Sequence, residues 1–156
     1  MINMRLILAA TVEFPPEEVS FMKVDGNCHC GRIALEAEID PSEVGICHCT
    51  DCQRLTGTAF RVSVGVTAEN FRILRGSPQE YIKTADSGAR RVQGFCGDCG
   101  TPIFATSADD RTAYGLRVGC LTQRAALTPT KQIWRCSALP WVPAMETLET
   151  WDAEED

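Results

Sequence analysis

The cysteines are the most restrictive feature of this chain, because seven of the nine fall into three tight groups. A Cys-x-x-Cys turn can direct two thiolates at one metal ion. Glycine favours such turns because it reaches a positive φ without strain, and the segment FCGDCGTP supplies Gly97 and Gly100. The pattern predicts metal binding by three groups: Cys28-x-Cys30, Cys47-x-Cys49-x-x-Cys52 and Cys96-x-x-Cys99.

Zinc explains these groups better than disulfides do. An odd number of cysteines fits a disulfide framework poorly, and clustered cysteines in a reducing cytosol are more often metal ligands or redox residues. Redox disulfides are one alternative, since Cys-x-x-Cys also suits thiol–disulfide exchange. Zinc takes four ligands, so seven thiols predict a closed four-thiolate site and a three-thiolate site with one open position. Inert zinc knuckles, or one zinc ion with spare thiols, are the simpler alternative.

Spacing alone does not assign the groups to the ions. The two Cys-x-x-Cys knuckles could form a zinc ribbon by themselves, which would leave Cys28, Cys30 and Cys47. The two histidines, His29 and His48, each lie between two cysteines. We expect both rings to face away from a metal that their neighbours bind, with direct ligation as the alternative.

The two remaining cysteines, Cys120 and Cys136, are expected to take no part in metal binding. Cys120 lies in the apolar pattern RVGCLT and Cys136 in IWRCS. Buried thiols behave as small hydrophobic groups.

The composition limits the classes of protein that the chain can belong to. Its 156 residues are enough for one domain with a real core. The net charge of -6 argues against a nucleic-acid partner and against an anionic membrane surface. The longest early apolar run, residues 6–12, is far shorter than the ~20 residues of a membrane helix. We expect a cytoplasmic protein.

Short alternating segments predict a mainly β domain with antiparallel sheets. RIALEAEI places Ile33, Leu35, Ala37 and Ile39 on one face, and AFRVSVGV repeats the pattern. Turn residues separate the segments, and no long helical stripe occurs. We expect an N-terminal extension over residues 1–21, which is either an added strand and turn or dispensable. The zinc-binding domain is expected over residues 22–145, and an acidic tail that frays over 146–156.

Three of these segments together resemble the glutathione-dependent formaldehyde-activating enzyme family, which also includes the domain of centromere protein V. They are GNCHCGRIALEAE, ICHCTDCQRLTGTAF and GFCGDCGTPIF. ALPW near the end is similar to the family's closing proline–tryptophan segment. The similarity covers about residues 22–141, and the seven clustered cysteines match in order and spacing.

The resemblance implies a β-tent of short antiparallel sheets around zinc sites, with two zinc ions per chain. It also implies which cysteines hold which ion. The structural zinc would be bound by Cys28, Cys30, Cys96 and Cys99, and the catalytic zinc by Cys47, Cys49 and Cys52.

The activity that the resemblance implies is that of a carbon–sulfur lyase. Such an enzyme adds glutathione to formaldehyde to form S-hydroxymethylglutathione, or acts on a related thiol adduct. Three thiolates on one Zn²⁺ leave a net negative charge, so this centre suits delivery of a thiolate better than strong activation of a carbonyl. The alternative is a zinc-stabilised binding module without catalytic activity.

Glutathione is anionic, so an acidic protein needs a local basic group to bind it. Arg54, directly after the three-cysteine group, is the first candidate for the substrate carboxylate. An ordinary solvated arginine is the alternative at this position, as it is for the weaker candidates Arg61, Arg90 and Arg91. Gln53 and Thr56 are candidate hydrogen-bond donors in the site, and His48 is the one candidate proton-transfer group by position.

Overall fold

Two β-sheets of unequal size make up the part of the chain that this computed structural model describes, residues 20–85 and 87–153. The smaller sheet is antiparallel, in the order β1–β2–β5. The larger sheet has the order β10–β3–β4–β9–β8–β7–β6. The smaller sheet consists of β1 (Met22–Asn27), β2 (Ala34–Ile39) and β5 (Phe71–Arg75).

The strands of the larger sheet are short. They are β3 (Val44–Cys47), β4 (Arg61–Thr67), β6 (Gln79–Thr84), β7 (Arg90–Phe95), β8 (Pro102–Ser107), β9 (Ala113–Arg117) and β10 (Lys131–Ile133). One α-helix, α1 (Thr50–Thr56), is found in the described chain. Short 3₁₀ turns occur at Pro41–Glu43, Ala68–Asn70, Val118–Cys120, Arg124–Ala126, Arg135–Ser137 and Val142–Thr147.

The mainly β prediction is confirmed, with one difference at the edge of the larger sheet. β10 pairs with β3 in parallel, which makes that sheet mixed, whereas its other pairings are antiparallel. A parallel partner must come from a distant crossover connection, which local alternation cannot reveal. Most of the expected N-terminal extension lies outside the described residues. Within those residues, no helix is long and apolar enough to cross a membrane.

The core lies where the two sheets face each other. The alternating residues of β2 are buried as the sequence predicts, and Leu35 and Ile39 are each 1% exposed. Val64 and Leu116, paired across β4 and β9, belong to the same buried cluster. Phe71 of the smaller sheet contacts Tyr114 of the larger one, with ring centroids 5.0 Å apart. This apolar contact fixes one sheet against the other.

The other face of the larger sheet is polar and is covered by α1. Successive strand residues point to opposite faces, so Cys47, Arg61 and Ser63 project away from the core. Lys83 of β6 forms an ion pair with Asp51 of α1. The helix therefore lies over the outer face of the sheet, and the groups beneath it are shielded from water.

Candidate metal centres

Four cysteine sulfurs from two distant segments lie together, all within 4.8 Å of one another. They belong to Cys28, Cys30, Cys96 and Cys99. The Cys28–Cys30 and Cys30–Cys96 sulfur separations are 3.5 and 3.8 Å. A tetrahedron with zinc–sulfur bonds of ~2.3 Å has sulfur–sulfur edges of about 3.8 Å. The four sulfurs therefore fit a closed tetrathiolate zinc site, and they do not form a ribbon with Cys49 and Cys52.

Two similar turns hold these four sulfurs in place. In the first, the Gly31 N–H donates to the Cys28 carbonyl at 2.9 Å, and in the second the Gly100 N–H donates to the Cys96 carbonyl at 2.9 Å. Both glycines have a positive φ, 76° and 74°, which side chains rarely adopt. The His29 N–H donates to Thr101 Oγ1 at 3.0 Å and links the two turns. Because the turns follow β1 and β7, the four-cysteine group joins the smaller sheet to the larger one.

The thiols of this group titrate unequally without a metal. Hydrogen bonds from the Thr101 side chain and backbone lower the pKa of Cys99 to about 5. The Arg32 backbone N–H lowers the pKa of Cys30, but desolvation and the neighbouring thiols raise it to about 12. Cys99 is therefore a stronger acid than Cys30 in the metal-free group. Zinc binding would release the remaining protons.

Three further sulfurs lie within 4.8 Å of one another on the outer face of the larger sheet. Cys47 is the last residue of β3, Cys49 is the N-cap of α1, and Cys52 lies in its first turn. Cys49 Sγ accepts from the Cys52 N–H at 3.4 Å and so caps the helix. All three residues are half-buried. These three soft donors could hold one metal ion and would leave a coordination position open.

Burial and hydrogen bonding give these three thiols different pKa values. It raises the pKa of Cys52, and the adjacent Cys47 and Cys49 thiols raise it further, to about 12, although the charge of Arg61 lowers it. Burial likewise raises the pKa of Cys47. Burial also raises the pKa of Cys49, but the Cys52 backbone N–H and the neighbouring thiols lower it by more. In the metal-free group, Cys49 is therefore the most acidic thiol.

Hydrogen bonds from α1 hold the three-cysteine segment against the loop after β10. Gln53 Nε2 donates to the His48 carbonyl at 2.8 Å and to the Ser137 carbonyl at 2.9 Å. Thr56 Oγ1 donates to the Cys52 carbonyl at 2.6 Å. The helix ends at Gly57, whose φ is 67°. Gln53 and Thr56 thus donate to backbone carbonyls, and these hydrogen bonds fix the position of the cysteine segment.

The two histidine rings join neither cysteine group. His48 is 1% exposed, and its Nε2 lies 2.9 Å from Gln132 Oε1. Its ring contacts the edge of Phe60, with centroids 5.6 Å apart. His29 is exposed. His48 lines a cavity of about 310 Å³ together with residues of the 3₁₀ turn Val142–Thr147.

The remaining two cysteines also lie apart from the groups. Cys120 is buried, and its Sγ donates to the Arg117 carbonyl at 3.0 Å. Cys136 is exposed.

The candidate arginines differ sharply in exposure. Arg54 is exposed. Because residues two apart on a helix point in nearly opposite directions, its side chain leaves α1 on the side opposite to Cys52. Arg90 lies 3.3 Å from Asp109 in an exposed pair, and Arg91 is exposed. Arg61 is only 5% exposed.

A second buried arginine, which the sequence analysis did not identify, lies beside Arg61. This residue, Arg117, is 9% exposed. Burial and the charge of Arg61 lower the pKa of Arg117 to about 9, although the Cys52 and Cys47 thiols raise it. Arg61 and Arg117 meet only through strand pairing between β4 and β9, so their spacing along the chain gives no signal.

Comparisons with known proteins give a matching family and a similar fold. The sequence profile of the family described as glutathione-dependent formaldehyde-activating enzyme matches residues 23–137. The fold is similar to that in a crystal structure of a Rhodobacter sphaeroides protein, with a TM-score of 0.56 and 21% sequence identity. That similarity covers 69% of this chain and 98% of the other. Comparison with curated protein sequences gave no significant match.

Proposed function

The chain belongs to the glutathione-dependent formaldehyde-activating enzyme family, and we propose that it is a zinc-dependent carbon–sulfur lyase that forms or cleaves a thiol–aldehyde adduct. The observation that carries the proposal is the half-buried group of three thiols, Cys47, Cys49 and Cys52. A purely structural zinc site needs four protein ligands, whereas three leave a position for a substrate.

The proposal gives the two cysteine groups different zinc ions and different tasks. Cys28, Cys30, Cys96 and Cys99 bind a structural zinc that ties the two sheets together. Cys47, Cys49 and Cys52 bind a catalytic zinc. The sulfur separations of the first group and the donor set of the second support this division. The meeting of two sheets at the four-cysteine group also supports assignment to the β-tent fold.

The reaction that we propose joins glutathione and formaldehyde. The glutathione sulfur attacks the carbonyl carbon, a carbon–sulfur bond forms, and the proton lost by the thiol is returned to the carbonyl oxygen. Zinc at an open three-thiolate site supplies a position at which a thiol is held as its nucleophilic thiolate. The three cysteines fix that position at the end of β3, and α1 excludes water from one side of it.

Arg54 is our candidate for contact with a glutathione carboxylate. It lies on the exposed side of α1, the helix that contains Cys52 and has Cys49 as its N-cap. An exposed charge pair of this kind contributes little, about 0.2–1 kcal/mol, and weakens with salt. We also place the protein in the cytoplasm, because reduced thiols persist there.

Binding and rate measurements with purified zinc protein test this function. Calorimetric titration with glutathione in two buffers of different ionisation enthalpy should show binding with proton release, because a thiol loses its proton on ligation. Formation of S-hydroxymethylglutathione, followed by NMR, should exceed the spontaneous rate. Cys49→Ser should abolish both effects, whereas Cys136→Ser, at an exposed cysteine outside both groups, should retain them.

The same titration tests the candidate substrate contact. Arg54→Ala should weaken glutathione binding by up to about fivefold at low salt and should leave a thiol without a carboxylate unaffected. Failure of glutathione and several other small thiols to bind, release protons or react would favour a binding module without chemistry.

A further inference from the structure

Two buried arginines lie next to the three-cysteine group on the outer face of the larger sheet. Arg61 of β4 is directly opposite Cys47 of β3. Arg117 of β9 is directly opposite Ser63, two residues further along β4 and therefore on the same face. Both arginines thus project from the same face of the sheet as Cys47. Both residues are at least nine-tenths buried.

The hydrogen-bond partners of these arginines are neutral. Gln93 Oε1 accepts from Arg61 Nη1 at 2.9 Å and from Arg117 Nη2 at 3.0 Å. Ser63 Oγ accepts from Arg117 Nη1 at 2.7 Å. Over residues 20–85 and 87–153, the ion pairs within 4.0 Å all involve other residues. Arg61 Nε is also buried without a hydrogen-bond partner there.

Buried charges are normally paired, because an isolated ion in the interior is costly. Among the described residues, cysteine sulfurs that can be negative lie near both arginines: the charge of Arg61 lowers the pKa of Cys52, and the Cys52, Cys120 and Cys47 sulfurs raise the pKa of Arg117. Three thiolates around a divalent ion carry a net charge of minus one. With the two arginines, a neutral fourth ligand leaves the buried assembly at plus one, whereas a thiolate brings it to zero.

We propose that Arg61 and Arg117 are positioning residues that make the open metal position selective for an anionic sulfur ligand over a neutral ligand. The inference rests on the proposed three-cysteine metal site and goes beyond it, because it assigns the ligand preference to charges that lie behind the cysteines. The arginines act on the charge of the ligand sulfur itself. Recognition of a carboxylate elsewhere on the substrate is a separate function.

A single isosteric substitution tests the proposal without removing either arginine. Gln93→Glu places a carboxylate where the amide oxygen now accepts from both guanidinium groups, and so cancels one positive charge. The probes are 2-mercaptoethanol, which has no carboxylate, and neutral imidazole, each titrated into the two-cobalt protein at fixed pH. For 2-mercaptoethanol we expect Kd to rise about tenfold, read from the thiolate-to-cobalt charge-transfer band. For imidazole we expect no weakening.

A second pair of variants separates charge from shape. Arg117→Gln should weaken 2-mercaptoethanol binding to a similar extent, and Arg117→Lys, which keeps the charge, should restore most of the affinity. Arg72→Gln is the matched control, since it removes one positive charge from the smaller sheet, where Arg72 pairs with Glu36. It should leave both titrations unchanged. Circular dichroism and a cobalt content of two verify folding in each variant.

The possible outcomes separate this inference from the proposed function. Equal weakening of 2-mercaptoethanol and imidazole would show a structural role only. Glutathione is titrated in parallel, and weakening of its binding but not that of 2-mercaptoethanol would show carboxylate recognition. Either result overturns the inference, as does an unchanged Kd in Gln93→Glu, and each leaves the proposed function intact. A wild-type protein that binds cobalt at the four-cysteine group alone, or that binds no thiol, overturns both.

Discussion

The two cysteine groups have the same donor chemistry but opposite positions in the fold. The four-cysteine group consists of cysteines from two distant turns and joins the two sheets. Cys30 and Cys96 are 66 residues apart in the chain. The three-cysteine group comes from the single segment 47–52 and lies on the outer face of one sheet. In the first group Cys28 and Cys96 are essentially inaccessible, Cys99 is half-buried and Cys30 is exposed, whereas all three cysteines of the second group are half-buried.

The difference in chain separation implies that a metal would affect folding differently at the two groups. A cross-link between distant segments removes much conformational freedom from the unfolded chain, whereas a link within six residues removes little. A metal at the first group would therefore stabilise the arrangement of the sheets. A metal at the second could exchange ligands without disturbing that arrangement.

The largest expected effect follows from removing a cysteine of the four-cysteine group. A structural zinc contributes about 10–16 kcal/mol of apparent binding free energy, expressed as folding, so Cys28→Ser or Cys96→Ser should give insoluble or unfolded protein. Cys49→Ser should stay folded and lose one of two zinc ions. Circular dichroism and metal analysis measure both results, with Cys136→Ser as the control. Similar destabilisation by Cys49→Ser and Cys96→Ser would refute the division of roles.

A smaller effect is expected when zinc is removed in stages. A chelator should first take one zinc ion, from the three-ligand site with its open position, with no change in β-structure by circular dichroism. The second zinc ion should leave later, together with the loss of that signal, because its ligands join the two sheets. Release can be followed with a zinc indicator, and added zinc should reverse the first phase. Simultaneous release of both ions, with unfolding, would show that the two groups are equally structural.

The smallest effect concerns the ion pair that ties α1 to the larger sheet. The side chains of Lys83 and Asp51 are 18% and 45% exposed, so loss of the pair should cost only about 0.2–1 kcal/mol. Lys83→Met should therefore weaken zinc binding at the three-cysteine group by up to about fivefold and leave the four-cysteine group unchanged. Competition with a zinc indicator resolves the two affinities.

The control for this prediction is Arg111→Gln, which removes a comparable ion pair with Glu80 away from α1. It should change neither affinity. Equal loss of affinity at both groups in Lys83→Met would show that the helix supports the whole fold and not the second group alone.

Local information in the sequence determined a good part of this protein. Alternation predicted the buried face of β2, because one-sided burial requires period two. The spacing of the cysteines predicted metal-binding turns, and the family resemblance agrees with the matching profile. The alternation lies within one strand and each cysteine spacing within one segment, so the chain order of the residues preserves both signals.

Only the tertiary structure decided which residues from distant segments of the chain contact one another. Spacing permitted a ribbon made of the two Cys-x-x-Cys knuckles, but strand order brings Cys96 to Cys28 and leaves Cys49 and Cys52 with Cys47. Strand order also decided that β10 pairs with β3 in parallel. It likewise brought Gln93 into contact with Arg61 and Arg117. Three strands separated along the chain bring these side chains to one face, and only the register of the sheet specifies which residues meet there.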